Sequence, residues 1–257
     1  MYREKFSLDG KVAIVTGGSR GIGQAIAESF AEMGATVVLA SRKIEGLTVV
    51  KEKILAAGGK ADAIAAHMGK PEDLEGLVQE TLRRHGTIDI LVNNAATNPV
   101  FGSCMDIAAE AWDKIMDVNV RGMFFLTQQV GRVMIEKKSG SIINISSEAA
   151  YCPSPGLGVY SISKAAVNML TKVFAQEWAG LNVRVNGIAP GLVQTRFSEA
   201  LWRDEGVRQL ALSTIPMGRL AQPDEMAGMA VFLASDAASY VTGQVYQVDG
   251  GREIRGI

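Results

Sequence analysis

The sequence predicts a three-layer α/β fold, in which a doubly wound parallel sheet lies between two layers of helices. Short apolar runs rich in β-branched residues alternate with longer segments of helical apolar spacing along the 257 residues. Many of the runs are apolar on both faces, as strands are when helices cover both sides of a sheet. Right-handed crossovers then place helices on each face. No linker or change in composition divides the chain, so we expect one domain over residues 1–257.

The elements are placed in chain order from this alternation. The predicted strands span residues 11–16, 36–40, 61–66, 88–92, 141–145, 182–188 and 244–248. The predicted helices span residues 22–33, 47–57, 71–85, 109–137, 159–179 and 223–234. Residues 192–218 break the alternation, and we expect them to form a mobile lid over a substrate. Within it, Phe197, Leu201 and Trp202 either line an apolar pocket or pack the lid together.

Composition excludes several classes of protein. A net charge of −1 does not favour a nucleic-acid or acidic-membrane partner. No run of about 18 apolar residues could span a bilayer, and no secretory signal is visible at the N-terminus. Cys104 and Cys152 are expected to be free thiols, and two histidines without a cysteine cluster do not predict a metal site. The ending Arg255-Gly256-Ile257 is not a peroxisomal signal, so we expect a cytoplasmic protein.

A glycine-rich loop follows the first strand and opens the first helix. It runs from Thr16 to Gly23 and contains Gly17, Ser19, Arg20, Gly21, Ile22 and Gly23. Glycines allow a pyrophosphate to approach the backbone closely, and a helix N-terminus directs amide N–H groups at that phosphate. The position after a strand and before a helix favours a dinucleotide site over a tight turn without a ligand.

The end of the second strand indicates which dinucleotide binds. An acidic residue there would hydrogen-bond the ribose hydroxyls of NAD. The chain has Ser41-Arg42-Lys43 instead. Arg42 could bind a 2′-phosphate with its planar donors, and Arg20 could approach the same group. We therefore expect NADP(H), the alternative being two solvated arginines.

Tyr160 and Lys164 are four residues apart in a predicted helix, so their side chains share one face. An ammonium near a phenol favours the phenolate, which would make Tyr160 a proton donor or acceptor near neutral pH. Taken alone, the pair fits a surface tyrosine and a solvated lysine better than it fits a catalytic pair.

Several motifs together resemble the short-chain dehydrogenase/reductase family. They are Thr16-Gly-x3-Gly-x-Gly23, Asn93-Asn-Ala-Ala96, Asn119, Ser147, Tyr160-x3-Lys164 and Pro190-Gly191. The resemblance implies a Rossmann-type fold with a parallel seven-stranded sheet. It also implies a homotetramer that uses helices at 109–136 and 158–179, and a catalytic centre of Ser147, Tyr160 and Lys164 assisted by Asn119.

The resemblance also implies a role for each residue. Tyr160 would exchange a proton with the substrate oxygen that Ser147 holds. Lys164 would lower the pKa of Tyr160 and bind the nicotinamide ribose, and Asn119 would anchor a water. Further implied cofactor contacts are Asn93, Asn94 and Ala95 at the ribose, Ile188, Pro190, Gly191, Val193 and Thr195 at the nicotinamide, and His67 and Met68 at the adenine, where the family usually has an aspartate.

A narrower resemblance links the chain to NADP-dependent carbonyl and retinal reductases. It is carried by Ser41-Arg-Lys, Asn98-Pro-x-Phe-Gly-Ser103, Ser154-Pro-Gly156 and Pro190-Gly-Leu-x-x-Thr-x-Phe-Ser198. It implies reduction of ketones, α-dicarbonyls or retinoid-like aldehydes. The alternatives are a 3-oxoacyl-carrier-protein reductase, an NAD-dependent secondary-alcohol dehydrogenase and a non-catalytic dinucleotide-binding regulator.

Overall fold

A computed structural model describes residues 2–253 and contains one seven-stranded sheet with the strand order β3-β2-β1-β4-β5-β6-β7. The strands are β1 (Val12–Thr16), β2 (Thr36–Ser41), β3 (Lys60–Ala65), β4 (Ile90–Asn93), β5 (Gly140–Ile145), β6 (Val183–Pro190) and β7 (Val245–Val248). All neighbouring pairs are parallel. The predicted fold is confirmed, and each predicted strand lies within two residues of its observed bounds.

The helices cover both faces of this sheet. They are α1 (Gly21–Glu32), α2 (Ile44–Ala56), α3 (Pro71–His85), α4 (Ala109–Met116), α5 (Gly122–Glu136), α6 (Gly158–Trp178), α7 (Glu205–Ser213) and α8 (Ala227–Ala234). Alternate residues of β1 enter opposite cores, since Val15 packs with α1, α2 and α8 while Ile14 packs with α3, α5 and α6. A side-chain period of two explains why these strands are apolar throughout.

The strand order reverses direction between β1 and β4. β1 pairs with β2 on one side and with β4 on the other, so the loops that follow β1 and β4 leave the sheet beside each other. In open parallel sheets this switch point forms a crevice beyond the carboxyl ends of the strands. The residues that follow β1, β4, β5 and β6 therefore surround one cleft.

The predicted helix over residues 109–137 is not regular. A π turn over Asp117–Arg121 separates α4 from α5, and it contains the buried Asn119. At Gly122, directly after the turn, an added Cβ would lie only 1.8 Å from the carbonyl oxygen of Met68. The backbone of α5 therefore approaches the loop after β3 as closely as glycine allows. The predicted helix at 223–234 likewise begins as a 3-10 turn over Pro223–Met226 before α8.

No helix within residues 2–253 combines the length and apolar character needed to cross a bilayer. The C-terminal tripeptide Arg255-Gly256-Ile257 lies outside the described residues.

Replacing Gly122 by alanine should destabilise the protein, because the new methyl group would collide with backbone rather than with a flexible side chain. We expect the free energy of unfolding to fall by about 3 kcal/mol, as overpacking does elsewhere, measured by urea denaturation. Gly76→Ala in α3 is the matched control, since an added Cβ there meets nothing within 4 Å. It should raise the same free energy by about 0.5–1 kcal/mol. Equal effects of the two substitutions would contradict the prediction.

Candidate active site

Ser147, Tyr160 and Lys164 lie together in the cleft. Ser147 is the second residue after β5, and its hydroxyl accepts a hydrogen bond from the Ala149 amide at 3.1 Å and interacts with the Tyr160 phenol. Lys164 is 1% exposed, and its Nζ donates to the Ile145 carbonyl at 2.7 Å. The same Nζ lies 5.6 Å from the centroid of the Tyr160 ring. The first turns of α6 and the end of β5 thus hold all three groups.

The pKa of Tyr160 is raised to about 12 rather than lowered. The ring keeps some exposure, but burial of the phenol is the largest cause, and the negative charge of Glu148 adds to it while the Ser147 hydrogen bond opposes it. The lowering expected from Lys164 is not seen, because its ammonium points at the Ile145 carbonyl. Burial also lowers the pKa of Lys164 to about 8.

Asn119 braces the cleft through its side chain. Its amide oxygen accepts from the Thr97 amide at 2.8 Å, while its amide nitrogen donates to the Thr97 carbonyl at 3.0 Å and to the Ser163 hydroxyl at 3.1 Å. The Ser163 hydroxyl in turn donates to the carbonyl of Tyr160 at 2.7 Å. The π turn therefore joins the loop after β4 to the helix that carries Tyr160, and π turns are often found at functional sites.

The glycine loop leaves the N-terminus of α1 open. Gly17 and Gly21 have φ angles of +66° and +57°, which other residues rarely adopt. An added Cβ at Gly17 or Gly23 would lie 2.6 or 2.4 Å from the Asn94 amide nitrogen. Arg20, before α1, has an extended backbone and makes no side-chain cap. The remaining predicted members of the loop are half-buried: Ser19 and Ile22. An uncapped helix N-terminus behind a glycine turn fits a pyrophosphate.

Asn94 and Ala95 fasten the end of β4 to the glycine loop. The Asn94 amide nitrogen donates to the Thr16 carbonyl at 2.9 Å, and the backbone amides of Asn94 and Ala95 donate to the Thr16 hydroxyl at 2.9 and 3.1 Å. Their placement beside the loop agrees with the predicted position along the cofactor cleft.

Asn93 does not face the cleft, contrary to the expectation. It is 2% exposed, and its amide nitrogen donates to the Thr127 hydroxyl and to the Asn144 amide oxygen, both at 2.9 Å. Asn144 continues to the Thr171 hydroxyl at 3.0 Å. Because successive strand residues point to opposite faces of the sheet, the Asn93 side chain points toward the helices that cover one face, where Thr127 of α5 accepts its hydrogen bond.

The end of β2 presents unpaired positive charge. Arg42 and Arg20 are exposed, and neither guanidinium has a hydrogen bond or ion pair to another residue between Tyr2 and Glu253. The Ser41 hydroxyl donates to the Lys43 carbonyl at 3.3 Å, which shapes the turn that carries Arg42. Both arginines retain all their guanidinium donors for an external anion.

His67 and Met68 lie after β3 with defined contacts. His67 accepts from the Gly69 amide through Nδ1 at 3.0 Å, and its backbone amide donates to Asp73 at 2.8 Å. Met68 is buried, with its carbonyl against Gly122. His67 is thus a hydrogen-bonded loop histidine just beyond the carboxyl end of β3.

The end of β6 borders the cleft. Ile188 is buried in the core, Pro190 ends the strand, and the Gly191 amide donates to the Val248 carbonyl at 3.0 Å. Val193, 4% exposed, forms a bridge with Ala221 that anchors the start of the lid.

Thr195 reaches the glycine loop. A Cβ added to Gly21 would lie 3.3 Å from the Thr195 methyl group. The Trp202 indole donates to the Thr195 carbonyl at 3.2 Å and to the Ser198 hydroxyl at 3.1 Å. These bonds fix the conformation of the lid between Thr195 and Ser198.

The lid contributes one aromatic ring to the cleft. Phe197 is 54% exposed, and its ring centroid lies 5.8 Å from that of Tyr160. Leu201 and Trp202 instead pack against the small cluster that includes Leu192 and Ile215. The structure therefore separates the two predicted roles, with Phe197 at the site and the other two inside the lid.

Glu148 was missed by sequence reasoning. Its side chain is 16% exposed, it is close enough to raise the pKa of Tyr160, and it forms an ion pair with Arg252. The available signal was an acidic residue directly after Ser147, in a stretch otherwise small or apolar. No cluster of three or more potential metal ligands occurs among the residues that the structure describes.

A parallel sheet with an open phosphate loop and a Ser-Tyr-Lys group at its carboxyl edge defines a dinucleotide-dependent oxidoreductase. A family model described as enoyl-(acyl carrier protein) reductase matches residues 17–253. Relatives named for the same family are more than 40% identical over nearly the whole chain. The chain belongs to the short-chain dehydrogenase/reductase family.

Particular relatives support this assignment. Dehydrogenase/reductase SDR family member 4 of Oryctolagus cuniculus is 45% identical over 96% of the chain and 95% of its own length. A 3-oxoacyl-(acyl-carrier-protein) reductase of Thermotoga maritima is 40% identical over 95% of the chain and 98% of its own length. A gluconate 5-dehydrogenase from Burkholderia cenocepacia, solved with NADP and tartrate, matches with a TM-score of 0.96 and 35% identity, covering 100% of both chains.

Replacing Lys164 by methionine should change how stability depends on pH. Between about 8 and the ordinary value of 10.5, the unfolded chain holds the lysine proton more tightly than the folded chain does. The wild type therefore gains stability as pH rises through this window, by about 3 kcal/mol in total, and Lys164→Met does not. The melting temperature of the wild type, measured by calorimetry, should therefore rise relative to that of Lys164→Met as the pH increases from 7 to 10. A constant difference would contradict the prediction.

Proposed function

We propose that the protein is an NADP(H)-dependent oxidoreductase that interconverts a ketone or aldehyde and an alcohol. The interaction of the Ser147 hydroxyl with the Tyr160 phenol carries this proposal, because both hydroxyls can meet one substrate oxygen. They lie in the same cleft as the open N-terminus of α1, where a dinucleotide would be held.

The residues present fit such a cofactor. The amides of the glycine loop and of the first turn of α1 would bind the pyrophosphate. Arg42 and Arg20 would bind the 2′-phosphate, and Ser41 would support them. His67 and Met68 would border the adenine, Asn94 and Ala95 the ribose, and Pro190, Gly191, Val193 and Thr195 the nicotinamide. The similar Burkholderia cenocepacia enzyme contains NADP. When bound, the cofactor supplies the hydride, and the protein supplies position and proton transfer.

Tyr160 is the proposed proton donor. With its pKa raised to about 12, the phenol keeps its proton at neutral pH, which is the state that carbonyl reduction requires. Ser147 would hold the same oxygen and fix its distance from the phenol. In the reverse reaction the same phenol oxygen would accept the proton of the alcohol.

Lys164 and Asn119 would support this step. Because its pKa is lowered to about 8, Lys164 can release and regain a proton near neutral pH and is suited to restoring the proton on Tyr160. Its position beneath the Tyr160 ring also leaves it near a bound ribose. Asn119 would keep α6 and the loop after β4 at a constant separation through its bonds to Thr97 and Ser163.

An apolar or aromatic carbonyl compound fits the substrate side best. Phe197 faces Tyr160, and Phe101 and Tyr151 are exposed on neighbouring loops. Residues 192–218, the predicted lid, would close over this region. A 3-oxoacyl-carrier-protein reductase would need free positive charge for an acidic carrier. Of the four arginines at or next to the lid, three are paired with acids: Arg203 with Glu199, Arg208 with Glu205 and Arg219 with Glu225. Arg196 is the exposed arginine that remains for such a carrier.

A homotetramer in the cytoplasm remains our proposal for assembly and location. The outer surface of α5 and α6 leaves apolar side chains exposed, among them Phe125, Met169 and Val173. It also carries a cavity of about 300 Å³, lined by Phe124, Ile135, Val173, Phe174 and Trp178 together with the polar Gln128, Arg132 and Glu177. Exposed patches of this kind often mark interfaces between proteins. Sedimentation velocity distinguishes a tetramer from a monomer.

A carbonyl panel that includes diketones, aromatic ketones and sugar ketoacids, assayed with NADPH, tests the proposed reaction. Turnover is expected for at least one apolar member. Tyr160→Phe should lower kcat/KM for that compound by about a thousandfold, because it removes the transferable proton and keeps the ring. Its affinity for NADPH, measured by fluorescence, should hardly change.

A non-catalytic regulator is the competing class. It would bind NADPH, reduce no member of the panel and show the same behaviour after Tyr160→Phe. That combination of results would remove the proposed reaction and keep only dinucleotide binding.

Arg42→Asp would replace the proposed partner of the NADPH 2′-phosphate by a carboxylate that repels this phosphate. We expect KM for NADPH to rise about a hundredfold, the effect expected from losing a charge-assisted hydrogen-bonded pair, with little change for NADH. Lys60→Asp is the control of equal charge change, since Lys60 begins β3 and lies beside Thr36, at the amino-terminal end of the strands and away from the end of β2. Equal losses for both cofactors at Arg42 would instead make it a structural residue.

A further inference from the structure

The segment Asp249–Glu253, which follows β7, has a defined structure of its own. The two carboxylate oxygens of Asp249 accept hydrogen bonds from the backbone amides of Gly251 and Glu253, both at 2.9 Å. Gly250 and Gly251 have φ angles of +67° and +84°, so the chain turns sharply here. We call these five residues the C-terminal turn. Because these hydrogen bonds hold the turn in one shape, a displacement of one end would also displace the other end.

One side of the C-terminal turn contacts the lid. The Gly250 carbonyl accepts from the Met217 amide at 3.1 Å, and an added Cβ at Gly250 would lie 2.9 Å from the Ile215 side chain. Gly191, before the lid, packs against Asp249, since an added Cβ there would lie 2.6 Å from the Asp249 Cα. The turn therefore contacts the chain just before the lid and near its end.

The other side of the turn contacts the catalytic loop. Arg252 Nη1 forms an ion pair with Oε1 of Glu148, and their side chains are only 28% and 16% exposed. Glu148 follows Ser147, and its carbonyl accepts from the amides of Tyr151 and Cys152 at 2.9 and 3.1 Å. The pair is thus attached to the short 3-10 turn that Ser147 caps.

Glu148 depends on Arg252 for its charge balance. Its second oxygen, Oε2, is buried without a hydrogen-bond partner among residues 2–253. Burial raises the pKa of Glu148, the positive charge of Arg252 opposes this, and the nearby Asp249 and Glu253 add to it. Without Arg252, a buried carboxylate would face two like charges on the turn itself, which favours separation of the turn from the loop.

We propose that Glu148 and Arg252 are positioning residues, whose ion pair fastens the lid, through the C-terminal turn, to the loop that carries Ser147. Neither residue needs to touch the substrate. The pair sets the fraction of molecules in which the lid is docked beside Ser147 and Tyr160. This inference rests on the proposed function for its kinetic consequence only, since the attachment itself is a property of the fold.

Arg252→Gln tests the kinetic consequence with a variant that removes the charge at a partly exposed position. KM for the carbonyl compound should rise about tenfold, because the apparent affinity falls with the fraction of competent lid conformations. The affinity for NADPH should hardly change, and kcat should fall less than KM rises. Arg252→Lys, which can restore the pair, should recover most of the loss. Arg83→Gln, which breaks an exposed pair with Glu80 in α3, is the matched control.

Hydrogen–deuterium exchange tests the attachment without any turnover. In the full-length protein, Arg252→Gln and Glu148→Gln should speed exchange in residues 195–217 relative to wild type and Arg83→Gln. Unchanged exchange there would overturn the proposal, and so would an unchanged KM in an active enzyme. If the wild type reduces no carbonyl compound, the proposed function fails, while the exchange comparison still decides whether the pair holds the lid.

Discussion

The hydrogen bond from the buried Lys164 ammonium to the Ile145 carbonyl joins α6 to the end of β5. β5 lies between β4 and β6, so the position of α6 on it determines where Tyr160 stands relative to every strand end around the cleft. An ammonium with almost no exposure costs considerable free energy, which is why burial lowers its pKa to about 8. The backbone carbonyl and the ring of Tyr160 offset part of that cost.

The regular elements were predictable because local signals agreed with the tertiary structure. α3 begins and ends at the predicted residues, since Pro71 starts it and Gly86 ends it with a left-handed conformation. The π turn before α5 was not predictable. The apolar spacing continues through it, and the close approach of Gly122 to the Met68 carbonyl just after the turn is a tertiary contact that no local pattern encodes.

In the site, too, some features follow from local sequence signals and others depend on tertiary contacts. Ser147, Tyr160 and Lys164 come together because a strand end and the following helix place them there. The helical spacing predicts that Tyr160 and Lys164 share a face, and the family resemblance adds Ser147. The separate positions of Asn93 and Asn94 depend on the residue at which β4 ends, and a shift of one residue reverses which side chain faces the cleft. The pKa of Tyr160 depends on burial and on Glu148, and the pairing of Glu148 with a residue 104 positions away leaves no signal in either segment.

The contact between Gly122 and Met68 has a consequence for changing the chain's cofactor preference. The loop that would border the adenine and the turn that holds Asn119 share a backbone contact too close for any side chain at Gly122. A redesign of residues 67–70 to accept a different adenosine moiety would displace the start of α5. The π turn before it would move as well, and with it the Asn119 side-chain amide that donates to Thr97 and Ser163. Evolution or engineering of dinucleotide choice would therefore proceed more freely from the end of β2, where the Arg42 guanidinium has no hydrogen bond or ion pair with any residue from 2 to 253.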